Sequence, residues 1–230
     1  MADFAAMAGE SIWESGKERN YDRERSVEMS KQVYISADYA PSDGDRDVVD
    51  EIHNWCKDPR RNLEFYDMSN PSRGSVSSNP DCRPCDLKKE FNQQINASSA
   101  VIFVVGDKTA QRTAGSLCRR NSDGVGCECT PYKQNTNGKA TCKWNSTSTP
   151  GPNDDIGNIN TYSYLEHEFH QAIRRKKNIV IVYNSMKYQS EWLPSYMNGY
   201  EDYAHPFWTR NALGYRVGDY QYIKKALGYE

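Results

Sequence analysis

The chain has 230 residues, 37 % of them hydrophobic and 26 % charged, with a net charge of −2 and a mean hydropathy of −0.89. That length suits one domain with a large insertion or extensions, and the low hydropathy assigns much of it to surface loops. A charge this close to neutral excludes a strong general affinity for nucleic-acid backbone or an anionic membrane. The first ten residues carry no basic segment and no long apolar run, and no stretch reaches the length of a membrane span. The expectation is a soluble, cytoplasmic protein with no membrane or nucleic-acid partner.

Residues 1–30 are charged and weakly periodic, and read as an N-terminal extension; residues 31–230 read as the domain proper. The first strand spans 32–36, where Val33 and Ile35 alternate with polar neighbours. A polar loop follows at 37–44. Residues 45–56 then read as a helix with Val48, Ile52 and Trp55 on one face, ended by Pro59. The second strand, 63–67, runs into a loop rich in Ser, Asn, Pro and Gly at 68–84. Leu87, Phe91 and Ile95 stand four apart and define a helix over 86–97. The third strand, 100–105, is the most hydrophobic run in the chain, and Gly106-Asp-Lys-Thr109 closes it.

From 112 to 160 the periodicity is lost, and four of the seven cysteines gather there. A loop this long without periodic structure reads as an insertion with a role of its own. A helix and a strand follow over 161–183. Leu165, Phe169, Ala172 and Ile173 form its apolar stripe, Arg174 to Lys177 load its last turn, and Ile179 to Val182 make a buried strand. The aromatic stretch from Tyr196 to Trp208 reads as a packed flap opening a C-terminal extension over 196–230. A short helix lies near 220–227.

Strand and helix therefore alternate four times, the signature of an α/β fold with a parallel sheet covered on both faces. Ligands bind such sheets beyond the carboxyl ends of the strands, where the strand order reverses. The loops at 37–44, 68–84 and 106–160 all leave those ends. No glycine-rich phosphate loop follows the first strand, no His-Glu-x-x-His pair occurs, and no nucleophile elbow is present.

Val33-Tyr-Ile-Ser36, Ala100 to Thr109, and Tyr164-Leu-Glu-His-Glu168 ahead of Ile179-Val-Ile-Val-Tyr183 together resemble the TIR-like domains, most closely the TIR-like subunit of bacterial Thoeris anti-phage systems. The resemblance implies a flavodoxin-like three-layer fold and cleavage of the nicotinamide–ribose bond of NAD. NAD is then a substrate, and no separate cofactor is required. The ADP-ribose would be hydrolysed, cyclised or transferred to make a signal, possible in a homo-oligomer and after a phage-derived trigger, and the signal would activate a separate effector protein.

In that family an aromatic residue commonly stands four positions before the catalytic glutamate, which implies Glu168 as the catalytic group with Tyr164 beside it. The helical wheel by itself does not choose between Glu166 and Glu168, which flank the apolar stripe on opposite sides. Ser36, Asp38 and Tyr39 leave the first strand at the ligand edge, where they either contact the ribose and phosphates of the substrate or cap the next helix. Phe65 and Asp67 resemble the start of the loop that covers substrate in TIR domains, although Asp67 also suits a turn. His167 falls opposite the stripe and is expected in solvent. Cys82-x-x-Cys85 has metal-like spacing. Cys118, Cys127, Cys129 and Cys142 suggest structural zinc, with free thiols and disulfides as alternatives. Two other functions stay open: a non-catalytic TIR-like interaction module, and a nucleoside or nucleotide N-glycosidase of similar fold.

Overall fold

The computed structural model describes residues 31–40, 42–61, 63, 65–67, 83–112, 133–134, 140–141 and 163–229; of 65–67, 83–86, 89, 133–134 and 140–141 no side chain is described. Contacts divide the chain into Met1–Ser30 and Lys31–Glu230. The extension expected at 1–30 lies outside the described residues, as do Cys82, Cys118, Cys127, Cys129 and Cys142.

In chain order the elements are β1 (Lys31–Ser36), α1 (Arg46–Lys57), β2 (Phe65–Asp67), α2 (Arg83–Ala97) and β3 (Ala100–Val105). Next come β4 (Lys133–Gln134) and β5 (Ala140–Thr141), a short antiparallel pair within the 112–160 stretch. Then follow α3 (Tyr164–Arg174), β6 (Asn178–Tyr183), β7 (Ala204–Pro206), β8 (Trp208–Arg210), β9 (Arg216–Gly218) and α4 (Tyr220–Ala226). The main sheet has the order β2-β1-β3-β6-β7, and all its pairings are parallel.

The order reverses between β1 and β3. Right-handed crossovers that move in opposite directions put their helices on opposite faces. The two cores follow that rule. Val33 and Ile35 of β1 pack with Val48, Ile52 and Trp55 of α1 and with Ile223 of α4. Tyr34 packs on the other face, with Ile95 of α2 and with Phe169 and Ala172 of α3. β3 is buried along its whole length, which explains its unalternating run of apolar residues. The expected α/β three-layer architecture with a parallel sheet is therefore present.

Three readings change. The stretch from Tyr196 to Trp208 is not only a flap. Its residues 204–206 form the fifth strand, paired with β6, so the C-terminal part completes the sheet. Ala204-His-Pro206 has no hydrophobic run to announce a strand. The sequence pattern breaks at Asn178, but the turn after α3 falls at Arg175 and Lys176, the latter with a φ of 50°, and Asn178 already belongs to β6. His167 is not in solvent: it is 1 % exposed, and its Nε2 lies 3.0 Å from the Lys88 carbonyl and 2.9 Å from Asn92 Oδ1.

Candidate active site

Side chains alternate along a strand, so Tyr34 and Ser36 of β1 point to the same face, the one covered by α2 and α3. α3 begins at the carboxyl edge of the sheet. Ser163 caps it, its Oγ accepting the Glu166 N–H at 3.0 Å. Glu168 stands just over one turn inside the helix and turns inward to β1. The Tyr34 hydroxyl donates to Glu168 Oε1 at 2.9 Å, and the Ser36 hydroxyl donates to Oε2. Glu166 is partly exposed, whereas Glu168 is 4 % exposed. Tertiary packing thus separates two carboxylates that the helical wheel leaves equivalent.

Burial pushes the Glu168 carboxyl up to about 7. The two hydroxyl donors and the charge of Lys88 oppose that shift without cancelling it. Lys88 is fully buried on α2, with its ammonium 5.8 Å from the centre of the Tyr164 ring. Tyr164 meets Phe91 edge-on at 5.8 Å. Tyr164, Phe91 and Glu168 wall a cavity of about 470 Å³ at the end of β1, whose lining also includes Ser36, Asp38 and Tyr39. That volume suits a small-molecule ligand.

The fold therefore brings five of the seven residues named from the sequence to one cavity. For Phe65 and Asp67 the backbone lies in β2, next to β1, and nothing of their side chains is described. Asp38 is engaged: its Oδ1 accepts the Ala40 N–H at 3.0 Å and its Oδ2 accepts from Arg112 Nε. The Asp45 N–H donates to the Asp38 carbonyl at 2.6 Å and closes the loop. Tyr39 is 41 % exposed, with the Arg46 guanidinium 5.9 Å from its ring centre. Arg112 and Tyr34 also line the cavity, and sequence reasoning missed both as site residues. Period-two alternation from Ser36 could have found Tyr34; no local pattern marks Arg112. Among the described residues, no group of three or more His, Cys, Asp or Glu side chains could hold a metal ion.

Residues 34–114 match the family model described as Thoeris protein ThsB, TIR-like domain. Over these residues the chain is similar to the TIR-like domain of ThsB. No curated protein and no solved structure matches the chain. The matched residues run from Tyr34 past β3 and include Ser36, Asp38, Tyr39 and Arg112, while Tyr164 and Glu168 lie beyond them. The match covers the β1–β3 half of the cavity. Among the described residues, no helix is long and apolar enough to cross a membrane.

Proposed function

We propose that this TIR-like domain cleaves the nicotinamide–ribose bond of NAD, with Glu168 as the catalytic carboxylate. The observation that carries the reading is the buried Glu168 carboxyl, held by Tyr34 and Ser36 in the wall of a ligand-sized cavity. When the C1′–N bond breaks, its electron pair leaves with nicotinamide, which becomes neutral. The ribose C1′ is left with oxocarbenium character. An ionised Glu168 beside it stabilises that charge, as carboxylates do in glycoside hydrolysis. Nicotinamide leaves as a neutral molecule, so no general acid has to protonate it. Water then adds at C1′ and loses a proton, or a nucleophile of the same molecule closes a ring.

Tyr34 and Ser36 orient the carboxylate, and Tyr164 presents its ring to the ligand. Ser36 and Tyr39 face the substrate ribose or phosphates. Phe65 and Asp67 belong to the segment that covers the substrate. The product serves in the cytoplasm as a signal for an effector protein during phage infection, after a phage-derived trigger and with self-association of the chain as contributing conditions.

The test incubates the purified protein with NAD and, separately, with nucleosides, and follows release of the base. NAD turnover is expected, and Glu168→Gln is expected to lower it by about 10²-fold or more while the far-UV circular dichroism spectrum stays unchanged. Turnover of nucleosides alone would reassign the chain as an N-glycosidase. Full NAD turnover by Glu168→Gln, with Glu166→Gln inactive, would remove Glu168 from the reaction.

A further inference from the structure

We propose that Arg112 is the anion anchor of the cavity, receiving the phosphates of a nucleotide whose ribose faces Glu168. The proposal rests on the Glu168 reading above. Two carboxylates hold the guanidinium: Nε donates to Asp38 Oδ2, and Nη2 donates to Asp43 Oδ1 at 2.7 Å. A guanidinium has five N–H donors in a planar fork. Among the described residues only two of them are engaged, so Nη1 and one Nη2 hydrogen remain for a ligand. Asp38 already directs one oxygen to the Ala40 N–H and the other to Arg112. Arg112 thus offers the cavity a cationic group with N–H donors to spare. Phosphate fits it, since a guanidinium grips phosphate oxygens in pairs.

The trio of Arg112, Asp38 and Asp43 carries a formal charge of −1, which would disfavour an anion if both carboxylates faced it. Asp38 is turned to the loop backbone and to Nε. The Asp43 side chain is 42 % exposed, and its carboxyl is also drawn on by Lys108. Asp43 thus competes for Arg112 from the solvent side, where water screens it. The cavity lining includes both the Glu168 carboxyl and the Arg112 guanidinium. A nucleotide with a cationic leaving base carries groups complementary to both, positive at the base and negative at the phosphates.

The test titrates the full-length protein by calorimetry with ADP-ribose and with adenosine, which lacks phosphate. Arg112→Gln is expected to weaken ADP-ribose binding by about tenfold to a hundredfold, the worth of one or two hydrogen bonds to a charged group. Adenosine binding should stay unchanged. Arg112→Lys, which keeps the charge but not the fork, should fall between. Asp43→Asn removes the competing charge and should bind ADP-ribose at least as tightly as the wild type. An unchanged ADP-ribose affinity in Arg112→Gln would overturn the proposal. So would an equal loss for both ligands, a loss in Asp43→Asn as large as in Arg112→Gln, or no ADP-ribose binding by the wild type at millimolar concentration. If NAD is not cleaved but the Arg112 dependence holds, the cleavage reading fails and the anchor stands. If Glu168-dependent cleavage occurs and Arg112→Gln binds normally, the reverse is true.

Discussion

Glu168 is protonated most readily where its proposed chemistry needs it ionised. Its carboxyl titrates near 7 in the folded protein against 4.5 for an exposed glutamate, because burial penalises the charge. Below about pH 4.5 the proton is bound in both folded and unfolded chains. Between the two values only the folded chain holds it. The stabilising contribution is thus complete below the unfolded value and is lost as pH rises through about 7. Asp45, pushed up to about 6 chiefly by burial, acts in the same direction. At about 1.4 kcal/mol per pH unit the Glu168 effect is on the order of 3 kcal/mol. Glutamine never ionises, so Glu168→Gln should gain thermal stability relative to the wild type at pH 8 and gain little or nothing at pH 5. Melting curves at the two pH values check this; a difference that does not move with pH contradicts it. Wild-type NAD turnover should show the opposite trend and rise through pH 7 as the carboxylate forms.

A polar seam joins the apolar stripe in fixing the rotation of α3, and with it Glu168, against α2. His167 meets the Lys88 carbonyl and Asn92, and Gln171 Nε2 donates to Asn96 Oδ1 at 2.7 Å. Lys177 extends the seam, its ammonium donating to the Asn96 carbonyl at 2.9 Å. Positions 88, 92 and 96 on one helix and 167 and 171 on the other are each one turn apart. The partners therefore form a ladder along the contact. Such a seam specifies one register, because a rotated helix would leave buried polar groups unpaired. His167→Ala should cost on the order of 2 kcal/mol, from the lost contacts with Asn92 and the Lys88 carbonyl and the space left behind. Urea unfolding measures it. A cost below about 0.5 kcal/mol, the range of surface substitutions, would show that the seam does not hold α3.

The C-terminal residues close the molecule on the strand that bears the site. Phe207 is fully buried and stacks on Trp55 of α1 at 5.4 Å. Ile223 and Leu227 enter the same core. The Lys31 ammonium, at the start of β1, donates to the Leu227 and Gly228 carbonyls at 2.6 and 2.7 Å. Each large apolar side chain in this set is worth roughly 1.5–3 kcal/mol of burial, and domains have only about 5–15 kcal/mol in total. A chain truncated after Tyr203 should therefore lose cooperative unfolding, as seen in a calorimetric scan. A sharp transition in the truncated chain would mean that the first four strands of the sheet suffice.

The sequence by itself determined the strands β1, β3 and β6, the helices before and after them, and the α/β class. Each of those features is a local periodicity, set by which side of one element is buried. It also supplied the spacing between Tyr164 and Glu168, which is one helical turn. Other features came only from the tertiary structure. Glu166 and Glu168 lie symmetrically about one apolar stripe, and only the packing of α3 against Tyr34 and Ser36 separates them. His167 was misread because a polar face signals solvent unless another helix presents matching polar groups. β7 is three residues containing a proline, and it is a strand only because β6 offers it a ladder. Arg112 joins Asp38 across 74 positions of sequence. Local covalent geometry carries no record of such pairings, because they depend on how the crossovers fold the chain back on itself.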